Sequence, residues 1–187
     1  MTEYDKPRSG KADKQSQTFF RVAYKNSIGL LQIADNKANM LISVNTLVIS
    51  AIIAISGYGA IASQFENLGL RFLLPLGILL TCCLVSTILA VKAAKPRLIL
   101  RDSKPYQPEK GSVLFFGDSS AMSLDAYLNE VRQVLGSKEL VNQHLTVALY
   151  RQGLVLDRKY RLLGQAYSLF MVGIALGTVV FIAFMFF

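Results

Sequence analysis

Asp35, Asn36, Lys37 and Asn39 run straight into an uncharged apolar stretch, with no proline, glycine or loop residue between. Read at alternating steps of four and three, Tyr24, Ile28, Leu31, Ala38, Ile42, Ile49 and Ile52 form one apolar stripe, and Asp35 and Asn45 fall on it. A polar group on the packing face of a helix at a bilayer is costly unless something answers it. For Asp35 one candidate answering group is Lys159, in a partly desolvated pair that sets register or acts as a latch. Otherwise both charges reach sideways into water and head-group phosphates. Asn45 either hydrogen-bonds to a neighbouring helix or copy, worth about 0.6 to 2 kcal/mol, or lines a conducting path with Ser43, Thr46 and Ser50.

Gly173 and Gly177 form a GxxxG that allows close helix approach and self-association. Conventional reaction chemistry has little to work with. The single histidine, His144, has no cysteine or carboxylate cluster beside it to suggest a metal. Cys82 and Cys83 are adjacent, so on a helix they point apart and suggest neither a structural disulfide nor a metal site. Gly117-Asp118 is not a phosphate-cradling loop, and no serine, histidine and acid set stands out. The expectation is a chain without catalytic residues, metal or cofactor, and not an enzyme.

The elements that must carry these residues are helices in a membrane. Of 187 residues, 52% are hydrophobic and 17% charged, and the apolar residues are concentrated in three uncharged runs. These runs, at about 40–58, 72–91 and 167–187, are each long enough to cross about 30 Å of hydrocarbon at about 1.5 Å per residue. The fold class expected is an all-α membrane protein with three transmembrane helices, long cytosolic helical extensions and a small cytosolic module. Seven Lys/Arg lie in Met1–Asn39 and twelve in Lys92–Ala166, while the link Ala60–Arg71 has only Arg71. The positive-inside rule then puts the amino end and 92–166 in the cytosol and Phe187 at the outer face of the inner membrane. The net charge of +8 lies on that cytosolic side, against anionic head groups. Its basic residues are scattered and not one arm interleaved with aromatics, so no nucleic-acid partner is expected. Nearly 40 polar or mixed residues precede the first span, so no cleaved secretory signal is expected.

Along the chain, residues 1–18 read as a disordered leader, and 19–91 as a cytosolic helix continuing into the first two spans. Gly57 and Gly59 are expected to stop the first helix, Pro75 to sit near the first turn of the second, and the second to stop near Pro96. Residues 101–111 read as a loop. Ser112–Phe116, SVLFF, reads as an extended segment tucked against the helices. Ser123 is a candidate N-cap for a helix to Leu135, with Gly136 as its stop. Ser137 and Glu139 then open a helix of about 50 residues, half stalk and half third span. Within 92–166 that stalk has a seam at coiled-coil spacing: Val141, Leu145, Ala148, Gln152, Val155, Lys159, Leu162 and Ala166.

Three groups of residues carry a family resemblance. The block Ala34-Asp35-Asn36-Lys37-Ala38 followed by Asn45, the element Phe115-Phe116-Gly117-Asp118 ahead of Tyr127-Leu128, and Lys159-Tyr160 leading into a last span together resemble the transmembrane effectors of Pycsar antiphage systems (the PycTM family). The resemblance covers about 19–187. It implies the killing half of a two-gene system. A partner cyclase makes a cyclic pyrimidine nucleotide, cyclic CMP or cyclic UMP, and the effector responds by impairing the inner membrane, so that cell death stops phage replication.

A receptor for such a ligand needs a cation, a flat platform and one or two polar contacts. Arg158, Lys159 and Arg161, the pair Phe115 and Phe116, and Asp118 are the residues available for these roles. Basic residues before a span are also topogenic, and a phenylalanine pair is also ordinary core. Asp35, Lys37, Asn45, Gly173 and Gly177 are the structural or gating candidates. Three spans enclose no comfortable pore, so a homo-oligomer in the lipid bilayer is expected. The competing readings are a passive membrane adaptor and a holin-like pore subunit without a nucleotide signal.

Overall fold

The computed structural model describes residues 8–61, 65–95 and 111–186. They form five helices: α1 (Arg8–Ile61), α2 (Phe65–Ala94), α3 (Phe116–Ser119), α4 (Leu124–Leu135) and α5 (Lys138–Phe186). Among the described residues there is no strand. Three of these helices contain segments long and apolar enough to cross a membrane, Lys14–Tyr58, Leu73–Ala94 and Lys138–Phe184. The chain divides into two compact units. One comprises Met1–Gln32 and Pro96–Asp157, the other Ile33–Lys95 and Arg158–Phe187.

The second unit takes α1 from Ile33, all of α2 and α5 from Arg158. Each presents a narrow stripe of buried, mostly small residues at steps of three, four or seven. On α1 these are Ala34, Ala38, Leu41, Asn45 and Ile52, on α2 Cys83, Ser86, Ala90 and Ala93, and on α5 Leu163, Ala166, Gly173 and Gly177. Small side chains let helix backbones approach, which is how spans associate where lipid removes the ordinary hydrophobic drive. Leu41, Ala90 and Ala166 meet at the centre, with Ile42, Leu89, Tyr167 and Phe170 packed around them. Bulky apolar residues such as Leu47, Ile53, Met171 and Val179 point outward, as lipid-facing residues do.

In the first unit, α4 begins where its cap requires. Ser123 Oγ accepts the Ala126 N–H at 3.3 Å, and Gly136 follows the last turn. Ser137 accepts the Leu140 N–H at 3.5 Å and opens α5, whose 49 residues make it about 74 Å long.

Several expectations are corrected. The leader is helical from Arg8, and Ser16 donates to Asn142 on α5 at 3.4 Å, so the first helix starts well before Phe19. Gly57 and Gly59 do not end it. A helical glycine costs about 1 kcal/mol relative to alanine, less than the cost of freeing backbone groups where no water answers them. The second helix starts at Phe65, inside the expected outer link, so Pro75 is its eleventh residue and not near its first turn. The SVLFF segment is not extended: Phe115 N–H reaches the Ser112 carbonyl at 3.0 Å, closing a turn that leads into α3. On α1 the buried stripe keeps Ala38, Asn45 and Ile52 of the expected one and takes in Ala34 and Leu41 on its flank, with Asp35 and Ile42 only half-buried, and Tyr24 and Ile28 are exposed. Residues 1–7 of the leader, 62–64 of the outer link and 101–110 of the loop lie outside the described residues.

Candidate functional site

Among the three apolar segments, the buried polar side chains form a ladder. Asn45 Nδ2 on α1 donates to Ser86 Oγ on α2 at 3.0 Å, and the Ser86 hydroxyl donates to the Ala166 carbonyl on α5 at 2.8 Å. Both side chains are fully buried, and Asn45 Oδ1 has no partner. Neutral groups that answer each other in hydrocarbon avoid a penalty of about 1 to 3 kcal/mol for each group left unmade.

Ten residues earlier on α1, Lys159 Nζ of α5 meets Asp35 Oδ1 at 2.5 Å. The Lys159 side chain is 15% exposed and that of Asp35 44%. Tyr167 adds a hydrogen bond from its hydroxyl to the Lys37 carbonyl at 3.2 Å. The contacts on α1 and α5 therefore rise together in residue number, and the two helices run parallel in this unit. Asp35 and Asn45 lie about 15 Å apart along α1. A slip of one turn would break both the pair and the ladder.

Gly173 and Gly177 face α2 of the same chain. A Cβ at Gly173 would collide with the Cys82 Cβ, whereas one at Gly177 would touch Leu79 Cβ at 3.4 Å. The close approach that the GxxxG allows is thus made within the chain. Ser43, Thr46 and Ser50 are exposed while Asn45 is buried, so the single chain does not gather them into one polar path. Thr46 instead donates to the Ile42 carbonyl at 2.8 Å.

In the other unit, residues 112–118 are fastened to α5. Asp118 is buried. Its Oδ2 accepts the Ser112 N–H at 2.8 Å and its Oδ1 accepts from Arg151. The Arg151 guanidinium also lies over the Phe115 ring, 5.8 Å from its centroid. Ser112 Oγ donates to the His144 carbonyl at 2.8 Å, and the Val113 N–H reaches His144 Nδ1 at 3.3 Å. His144 thus receives from the segment at both its carbonyl and its ring Nδ1. Gly117 is required here for space: a Cβ would stand 2.6 Å from Phe115 Cε1.

The six expected ligand contacts are therefore not alike. Asp118 and Lys159 are each engaged by an ion pair within the chain. Phe115 lies under Arg151, and Phe116 is 71% exposed, so the two rings make no shared platform. Arg158 and Arg161 have exposed side chains and belong to the unit that does not contain the phenylalanines. Arg151, Ser86 and Ser112 belong to no motif, and His144 is a lone histidine. His144, Ala148 and Arg151 do share one face of α5 by their spacing, which is the signal that was available. Gln152, a polar member of the stalk seam, is half-buried with Oε1 unpartnered.

Comparison with known proteins adds one match. The family described as the Pycsar effector protein domain, PycTM, matches residues 14–187. No curated protein and no solved structure matches the chain. The match takes in all three span-length apolar segments, the ladder, the Asp35–Lys159 pair and the Asp118–Arg151 fastening. The chain accordingly belongs to the Pycsar effector family, the effector side of that antiphage system and not its cyclase.

Proposed function

We propose that this chain is a nucleotide-triggered effector that impairs the inner membrane of the infected bacterium. Binding of a cyclic pyrimidine nucleotide, cyclic CMP or cyclic UMP, made by a partner cyclase shifts it from a resting to a membrane-damaging arrangement, and the cell dies before phage is released. The observation that carries this reading is the family match over residues 14–187 on a chain with three span-length apolar helices. The polar ladder supports a resting state. Its groups are turned toward each other and not toward a water path, so damage requires rearrangement or several copies. A ligand produces that shift only through different affinities for the two arrangements. Lys/Arg asymmetry supports an amino end and a 92–166 region in the cytosol. Arg158 and Arg161 are the candidate cations for the ligand's phosphate.

The test is membrane potential in cells expressing the full chain, supplied with cyclic CMP, cyclic UMP or neither. Depolarisation by one nucleotide alone is the expected result. Depolarisation regardless of nucleotide makes the chain a holin-like pore subunit, and none under any condition makes it a passive adaptor.

A further inference from the structure

We propose that α4 is a self-pairing surface, on which a second copy of this chain lays its own α4 antiparallel. Leu124, Leu128, Val131 and Leu135 follow one another at steps of four, three and four, which places them within about 60° on one side of the helix. Leu124 is 72% exposed and Leu135 74%, with Leu128 also exposed and Val131 half-buried. The helix does not need this stripe to dock on its own unit, because Val134, on the adjacent flank, is the residue it buries. A contiguous leucine stripe outside the span-length apolar segments of the chain is a surface with an occupant.

Charge decides between the occupants. The charged residues of α4 are Asp125, Glu130 and Arg132, a net of one negative charge. A helix that lies on anionic lipid carries lysine and arginine on its polar face, so this one does not suit a bilayer surface. Asp125 and Arg132 are exposed, seven residues apart on one flank of the stripe, and among the described residues neither takes part in an ion pair. When two α4 helices are set antiparallel, with Leu124 opposite the second copy's Leu135 and Leu128 opposite its Val131, each Asp125 comes beside the other copy's Arg132. The pattern is self-complementary about a two-fold axis, as an isologous contact must be. A parallel pairing would leave both charges opposite uncharged positions. The face of one 12-residue helix is much smaller than the roughly 800 Å² per partner of a free-standing complex. The contact therefore depends on both copies being held in one membrane plane, where effective concentration is high.

Cross-linking of the full chain in membranes tests this, in a background with Cys82→Ala and Cys83→Ala. Leu124→Cys and Leu135→Cys variants are made separately and together in one cell, then treated with a short bis-maleimide. A dimer band in the mixed sample, and not in either variant alone, is expected. Absence of a mixed band, or equal bands in all three samples, overturns the antiparallel pairing. Asp125→Arg or Arg132→Asp alone should lower the mixed yield about fivefold, since two rim pairs become repulsive, and the double variant should restore it to within about twofold. A double variant as poor as the worse single variant also overturns the proposal. So does protection of Leu124→Cys from aqueous maleimide by the membrane without any cross-link, which would assign the face to lipid.

Discussion

The unit built from the apolar helix segments and the unit built around residues 111–157 solve the same problem by different chemistry. Each holds a buried polar group. In the first, neutral side chains pass hydrogen bonds from Asn45 to Ser86 to a backbone carbonyl, on helices brought close by alanine and glycine. In the second, a full charge, Asp118, is buried and balanced by Arg151 and by the Ser112 N–H. The difference follows from solvent. A charge at mid-membrane is expensive even when paired, whereas a guanidinium at the edge of a folded unit keeps part of its hydration while neutralising its partner. The Asp35–Lys159 pair is intermediate, an ion pair with its acid nearly half in solvent.

The largest effect expected from breaking this contrast is at Asp118. Arg151→Ala leaves a buried carboxylate uncompensated and should cost about 3 kcal/mol or more, whereas the double change Asp118→Leu with Arg151→Met should cost clearly less. Protease sensitivity of the 111–119 segment, read against denaturant, compares them. Equal damage from single and double changes would mean that the charge is not what holds the segment.

Next in size is the close approach of α5 to α2. Gly173→Ala forces a Cβ into the Cys82 Cβ and should destabilise the packing of the spans by about 1 to 3 kcal/mol, the usual range for overpacking. Gly177→Ala meets only ordinary contact and should be mild, and Cys82→Gly should rescue Gly173→Ala. Unfolding in mixed detergent ranks all three. If Gly177→Ala proved as harmful as Gly173→Ala, the close contact would lie elsewhere.

A smaller effect is expected in the ladder. Asn45→Ala or Ser86→Ala should each cost about 0.6 to 2 kcal/mol. Their double change should be less than additive, because they share one bond. Strict additivity would separate them. The smallest change is at Asp35 and Lys159. With the acid so exposed, the pair is worth at most about 1 kcal/mol. Asp35→Lys or Lys159→Asp alone should weaken the packing slightly, and the two together should recover it. A double variant no better than the worse single one would reduce the pair to two independent surface charges.

The elements with strong local signals were readable in the sequence. Three uncharged runs of span length lie inside α1, α2 and α5, and a serine before Leu124 and a glycine after Leu135 bound α4. Asp35 with Lys159 was also legible, because parallel spans and a similar depth make the two meet. Helix starts were less readable. Nothing local distinguishes 8–18 from a polar leader, and its contact with α5 through Ser16 and Asn142 joins residues 126 apart in sequence. For the same reason Asp118 read as a ligand contact: the arginine that occupies it is 33 residues away on another helix.

What the sequence determined by itself is the class of solvent each segment meets and where helices are free to form, since run length, charge placement and capping residues act locally. Only the tertiary structure decided which polar groups are already occupied. Asn45 was open to a path or a partner until Ser86 came within 3.0 Å of it. The GxxxG was open to another copy until Gly173 closed on Cys82. A buried polar residue announces its cost in the sequence, but the group that answers it comes from a helix tens of residues distant, and only packing brings the two together.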